Sequence, residues 1–188
     1  SDTGHYIKSG RDVCELVGNK GIGLTVAPSR GSFENVVRVR HMQEYQLGIV
    51  QSDVLEFIKE IGRKDPAKYP ALADIPTTLK LVLPLYNEEI HVLAQGDIVE
   101  LGDLAGKVVG IGRPGSGHFL PSVVLLKLAG IKPARTEAIG GEDAVKAMRN
   151  QRLDAMIDVA GYPSSLFQNF VTEADGFELV PIENPKIK

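Results

Sequence analysis

One cysteine is all that the 188-residue sequence offers for covalent bracing. Cys14 therefore has no internal disulfide partner, and its Val13-Cys14-Glu15-Leu16 setting reads as the packed face of a helix. The four histidines, His5, His41, His91 and His118, are dispersed, without H-E-x-x-H spacing or a cysteine pair, so no metal site and no cofactor are assigned. There is no G-x-S-x-G elbow, and nothing sets Ser, His and Asp as a triad. No catalytic residue is assigned, and the chain is not read as an enzyme. No run approaches the roughly 20 apolar residues that span a bilayer, which argues against direct membrane insertion. No basic, apolar, small-residue leader opens the chain, although a mature exported protein has the same appearance once its leader is removed. Basic residues are not in excess either: 21 Lys plus Arg face 24 Asp plus Glu, for a net charge of -3. They are scattered rather than striped, which disfavours a nucleic-acid partner.

What the sequence does contain is a repeated junction. Four times an apolar, strand-like run ends in a small polar turn that opens a helix: Leu24 to Ser32, Gly48 to Asp53, Val108 to Gly117, and Met156 to Ser164. The first amides of a helix have no partner within it and carry the positive end of the macrodipole, so each junction can hold a carboxylate or phosphate. In a parallel sheet all four turns lie at the carboxyl ends of the strands, where open α/β sheets bind ligands.

Along the chain, Tyr6 to Val17 reads as a helix ended by Gly18 to Gly21, followed by a strand at Leu24 to Ala27. Ser32 is the expected N-cap of a helix ending near His41. A short strand at Leu47 to Gln51 leads to Ser52-Asp53, the cap and first turn of a third helix. Residues 62 to 76, with Pro66, Pro70 and Pro76, read as a surface excursion. Apolar runs at Leu79 to Leu85 and Ile90 to Ala94 flank Asn87-Glu88-Glu89 and mark the crossing into a second lobe. There the expectations are a strand at Val108 to Ile111, a helix ended by Gly130, a helix capped by Gly141-Glu142, a strand at Asp154 to Val159, a helix from Pro163 or Ser164 to Val171, and a strand at Phe177 to Val180. Alternating elements imply the α/β class.

Gly110-Ile111-Gly112-Arg113-Pro114-Gly115 matches G-x-G-x-x-G after a strand. The dinucleotide fingerprint also needs an acid at the end of the next strand. Taking that strand near Ile131 to Arg135 leaves Glu137 out of phase. The glycines of 112–117 are spaced like a Walker A loop, but His118 and Phe119 follow where Lys and Ser or Thr would supply the phosphate contact and magnesium ligand. What survives is a turn of small residues whose amides can approach a ligand closely, with Ser116 adding a hydroxyl, or else a plain tight turn. Arg30 and Arg113 stand in two of the turns, where a guanidinium can grip a carboxylate or simply be solvated. Asp53 and Glu88 can meet an ammonium group, Asp53 equally being a helix-cap residue.

The order and spacing of Gly31-Ser32-Phe33-Glu34-Asn35, Leu47-Gly48-Ile49-Val50-Gln51-Ser52-Asp53, Leu85-Tyr86-Asn87-Glu88-Glu89 and Gly112-Arg113-Pro114-Gly115-Ser116-Gly117 resemble the TAXI family of solute-binding proteins, which serve TRAP transporters. The resemblance implies a two-lobed, periplasmic-binding-protein-like α/β fold (type II), with parallel-rich sheets and flanking helices. Lobe 1 would span residues 1–84, lobe 2 residues 85–182, and a tail 183–188. It implies an extracytoplasmic or periplasmic receptor that captures a small anionic solute, a glutamate-like amino acid or a dicarboxylate, and hands it to the membrane permease subunits. The family's binding turns fall on Tyr6, Gly31, Ser32 and Asn35, on Gln51, Ser52 and Asp53, on Tyr86, on Gly115, Ser116 and Gly117, and on Tyr162 and Pro163, with Arg30 and Arg113 added from the turn reading. The four turns would then divide two and two across one cleft. A ligand-sensing domain of a signalling protein is the alternative, and a nucleotide-dependent enzyme a more distant one.

Three departures from the family pattern carry expectations. Ser29-Arg30 adds bulk and charge beside the first turn, and Asn87 and Glu89 stand where the family has prolines, making the crossover more polar. Pro121 requires the helix after Gly117 to start late, because only near the start is its missing amide harmless. Against the family the chain also lacks an opening strand and a C-terminal completion of lobe 1, as a fragment or shortened relative would.

Overall fold

The computed structural model describes residues 5–183 and 187, and divides the chain into two compact units, Ser1–Pro84 and Leu85–Lys188. In the first unit, helices α1 (His5–Gly18), α2 (Ser32–His41) and α3 (Ser52–Lys64) are followed by two single-turn helices, α4 (Pro70–Ala73) and α5 (Ile75–Thr78). Its core is small: Ile7, Val36, Val54, Ile58, Leu72 and Ile75 are buried. Two sequence expectations are corrected here. The runs Leu24 to Ala27 and Leu47 to Gln51 form no strand, and neither does Leu79 to Leu85, for among the described residues of this unit no strand pairing exists. An apolar run reports a tendency to be buried, whereas a strand also needs a neighbour for its amides. Leu81 and Val82 are 84% and 72% exposed.

The second correction concerns residues 62 to 76, which are not an irregular excursion. Pro70 opens α4 at a position where its missing amide costs nothing, and Leu72 and Ile75 turn inward. Arg40 of α2 ties this segment down by an ion pair with Asp74. Gly62 lets α4 sit directly on α3, since a Cβ there would lie 2.4 Å from the Leu72 carbonyl oxygen.

The second unit is built on one five-stranded sheet in the order β3-β2-β4-β1-β5. The strands are β1 (Glu89–Gln95), β2 (Val108–Gly110), β3 (Arg135–Glu137), β4 (Ala155–Ala160) and β5 (Phe177–Val180). β3, β2 and β4 are parallel, β1 is antiparallel to both β4 and β5, and so four strands share a direction with β1 reversed between them. All of β4 is buried, as a strand covered on both faces must be. Alternation along β1 and β4 separates two cores. Val92, Ala94, Ala155 and Ile157 face Leu125 and Leu126 of α6 (Phe119–Ala129). Leu93 and Met156 face Ala144, Val145 and Met148 of α7 (Glu142–Arg149). Helix α8 (Ser165–Phe170) adds Leu166 and Phe167 to the second core.

Helix α6 starts as late as Pro121 demands. His118 is its N-cap and Pro121 its third residue, so no intrahelical bond is lost, and Gly130 closes it in the left-handed conformation. β3 lies further along than expected. Its last residue, Glu137, is in register with Gly110, and its carboxylate is held by Arg135 at 2.8 Å.

The α3–α4 contact gives a direct test. Gly62→Ala forces a backbone shift and is expected to lower stability by about 1–3 kcal/mol, whereas Gly18→Ala, which meets nothing within 4 Å, leaves stability within about 0.5 kcal/mol of the parent. Chemical denaturation of the two variants checks both values.

Candidate functional site

In the first unit one hydroxyl links the starts of α2 and α3 to a side chain of α1. Ser32 is fully buried. Its Oγ lies 3.3 Å from the Tyr6 hydroxyl at the start of α1 and accepts the Gln51 backbone N–H at 3.1 Å, Gln51 being the N-cap of α3. The Ser32 hydroxyl also reaches Gln51 Oε1 at 3.5 Å. Gly31, not Ser32, is the N-cap of α2. Its φ of 128° lies where only glycine is unstrained, and this places Ser32 as the first helical residue with its side chain turned to the other two helices. Asn35, one turn on, donates from Nδ2 to the Ile49 carbonyl at 2.8 Å and so fixes the approach to α3. The starts of α2 and α3 are therefore joined through Ser32, with the Tyr6 hydroxyl of α1 reaching the same point.

The remaining expected residues of this unit lie further out. Arg30 is 86% exposed and engaged with Glu34, which accepts both its backbone N–H at 2.8 Å and its Nε–H at 3.1 Å. That bond, with Arg38 close by, holds Glu34 below the usual carboxylate range. Ser52 and Asp53 are exposed in the first turn of α3.

In the second unit the turn after β2 is folded over Gly112. At φ +78° this glycine leaves no room for a side chain: a Cβ would stand 2.8 Å from His118 Cβ and 2.9 Å from Ser116 Oγ. The turn is anchored by Gly112 N–H to Ile139 O at 2.9 Å and Ser116 N–H to Arg113 O at 2.9 Å. Ser116 Oγ is buried and has no hydrogen-bond partner, as is Ser164 Oγ at the N-cap of α8. Arg113 points outward, 75% exposed and 3.6 Å from Asp143. Gly115 and Gly117 complete the turn. Tyr162 and Pro163 follow β4, joined by a cis peptide bond, with Tyr162 81% exposed. Tyr86 packs at the same end of the sheet: a Cβ on Gly161 would lie 3.4 Å from its ring. Glu88 has one carboxylate oxygen buried. The fold thus gathers Tyr6, Ser32, Asn35 and Gln51 in one unit, and the 112–117 turn with His118 in the other.

Two residues here escaped the sequence reading. Asp158 is 3% exposed in the middle of β4, and its Oδ1 lies 3.1 Å from Nδ1 of His118. The legible signal was a single charge in the otherwise apolar Met156-Ile157-Asp158-Val159-Ala160. Burial alone would depress the basicity of His118, but the hydrogen bond and charge of Asp158, with the charge of Glu88, outweigh it and raise the pKa above the ordinary histidine value. Among the described residues no group of three or more His, Cys, Asp or Glu is placed to hold a metal ion, and no helix is long and apolar enough to cross a membrane.

A largely parallel sheet with one reversed strand, and with helix-opening turns after β2 and β4, is a mixed α/β fold similar to that of a periplasmic binding protein. The chain belongs to the NMT1-like family, whose pattern matches residues 1–188. Among solved structures it is similar to an ancestral arginine-binding protein bound to arginine, with a TM-score of 0.53 at 17% identity over 90% of this chain. At that identity the likeness is one of fold. The chain spans 66% of that protein's length.

The hydroxyl cluster in the first unit is testable. Ser32→Ala removes the buried acceptor of the Gln51 amide and is expected to cost about 1–3 kcal/mol. Tyr6→Phe removes the neutral hydroxyl contact with Ser32 and is expected to cost about 0.5–1.5 kcal/mol. Urea unfolding curves of the two variants should rank them in that order.

Proposed function

We propose that this chain is the solute-binding part of an extracytoplasmic receptor that captures a small anionic organic solute, a glutamate-like amino acid or a dicarboxylate, and passes it unchanged to membrane permease subunits of a TRAP-type transporter. The observation that carries this reading is the junction of the α2 and α3 starts at Ser32, with the Tyr6 hydroxyl beside it. Backbone amides and a macrodipole at each start favour a carboxylate without requiring a lysine or arginine in contact with it. In the first unit the solute contacts are Tyr6, Gly31, Ser32, Asn35, Gln51, Ser52 and Asp53, with Arg30 at the margin. In the second they are Tyr86, the turn of Gly115, Ser116 and Gly117, and Tyr162 and Pro163, with Arg113 outside.

The family and the fold support capture rather than conversion, and the TAXI-like order of motifs supports the TRAP assignment. The unpartnered, buried Ser116 Oγ suits a ligand oxygen, because a buried hydroxyl without a partner is costly until something supplies one. Nothing in the role requires a cofactor or metal.

The test is a thermal-shift panel of dicarboxylates, acidic amino acids, basic amino acids and nucleotides. A solute present at about 100 times its Kd stabilises the folded chain by about 2.7 kcal/mol, so a carboxylate is expected to raise the melting temperature by several degrees while nucleotides leave it unchanged. A response confined to arginine and lysine would reverse the assigned charge of the solute. No response to any organic acid would refute the reading.

A further inference from the structure

His118 stands where two demands on one nitrogen conflict. Its Nδ1 is 3.0 Å from the Val159 backbone N–H and 3.1 Å from Asp158 Oδ1. A neutral imidazole with its lone pair on Nδ1 accepts the Val159 amide and sets that lone pair against a buried carboxylate. An imidazole protonated on Nδ1 donates to Asp158 and gives up the Val159 amide. Which β4 group engages Nδ1, at the N-cap of α6, is therefore set by whether that nitrogen carries a hydrogen, and the doubly protonated ring is the form that also meets the Asp158 carboxylate with a positive charge.

The conflict lies next to the solute turn. His118 Cβ and Ser116 Oγ crowd the same point beside Gly112, at 2.8 Å and 2.9 Å from where a Cβ would be. The titratable and charged groups around the ring come from every element packed on it: Asp158 from β4, Glu88 from the segment ahead of β1, and His91 on β1, directly opposite Asp158 in register. Arg113 of the same turn is occupied by Asp143 of α7. The carboxylates of Asp158 and Glu88 favour a protonated ring, and His118 follows the Ser116 turn by two residues with its Cβ at the same crowded point.

We infer that binding of an anionic solute group at the 112–118 turn is coupled to uptake of one proton by His118, so that the His118–Asp158 pair sets the affinity and makes it fall as pH rises. This rests on the receptor reading above. Protonation adds a positive charge beside Ser116 and the start of α6, which attracts the anion, and the anion in turn stabilises the protonated ring. By linkage the two effects are equal.

The sign follows from the raised pKa. The protonated pair is fully formed below the ordinary histidine range and is lost as pH rises through the raised value of His118. The first measurement needs no solute: imidazole NMR of the ligand-free chain should show one histidine titrating above the ordinary value of about 6.5, assigned by its loss in His118→Gln and moved down in Asp158→Asn. A His118 titrating at or below the ordinary value overturns the inference whether or not Asp158→Asn folds.

The second measurement is titration calorimetry with L-glutamate and 2-oxoglutarate at about pH 6 and about pH 8, in buffers of different ionisation heat. Expected are proton uptake on binding that is small at about pH 6, where the ring is already largely protonated, and larger at about pH 8, and a fall in affinity on the order of tenfold across that range, both abolished in His118→Gln. Equal affinity at the two pH values, or a dependence that persists in His118→Gln, overturns the coupling and leaves the receptor reading standing. Binding of neither acid at either pH, together with a silent thermal-shift panel, overturns both.

Discussion

The first amides of a helix cannot be satisfied by the helix itself, and this constraint organises the molecule more than any feature of its cores. In the first unit Gln51 answers it in part: its amide, at the start of α3, goes to the hydroxyl of Ser32, which also meets Tyr6 at the start of α1. In the second unit Gly112 folds the turn tightly enough that Ser116 Oγ is enclosed with no partner at all. Each arrangement, within its own unit, sets a small hydroxyl beside a helix start, and glycine is required at 31, where φ is 128°, and at 112, where a Cβ would meet His118 and Ser116.

The two units meet this constraint with unequal supports. The second has a sheet with cores on both faces, and β4 is buried from end to end. The first rests on a handful of apolar side chains, the α3–α4 contact at Gly62 and the Arg40–Asp74 pair. Its apolar segments at 24–27, 47–51 and 79–84 stand without ladder partners among the described residues. Hydrophobic burial is proportional to the area removed from water, so Leu81 and Val82, largely exposed, contribute little to this unit as it stands.

Helix starts were legible to within a residue because glycine and small polar residues in front of an apolar 3.6-residue period have few other uses: Gly141 and the late start forced by Pro121 follow from that logic, whereas the caps expected at Ser32 and Ser52 fall one residue earlier, at Gly31 and Gln51. The strands of the first unit misled because a run such as Leu24-Thr25-Val26-Ala27 specifies burial and not a neighbour. The single turns α4 and α5 were invisible since four residues are too short to show a period. Asp158 and His118 are forty positions apart, and what joins them is the lateral placement of β4 against the turn after β2. That is a property of topology, which a local reading does not contain.

The reversed strand β1 has a consequence for how the second unit can assemble. It is the unit's first strand in sequence and nearly its most central in space, yet its partners come late, Ala160 opposite Glu89 and Val180 opposite Val92. Closing a loop of about seventy residues costs conformational entropy before any ladder bond returns it, so the pairings of β1 are among the most non-local of the sheet. Until β4 and β5 pair with it, β1 has no ladder partner for its apolar Val92-Leu93-Ala94.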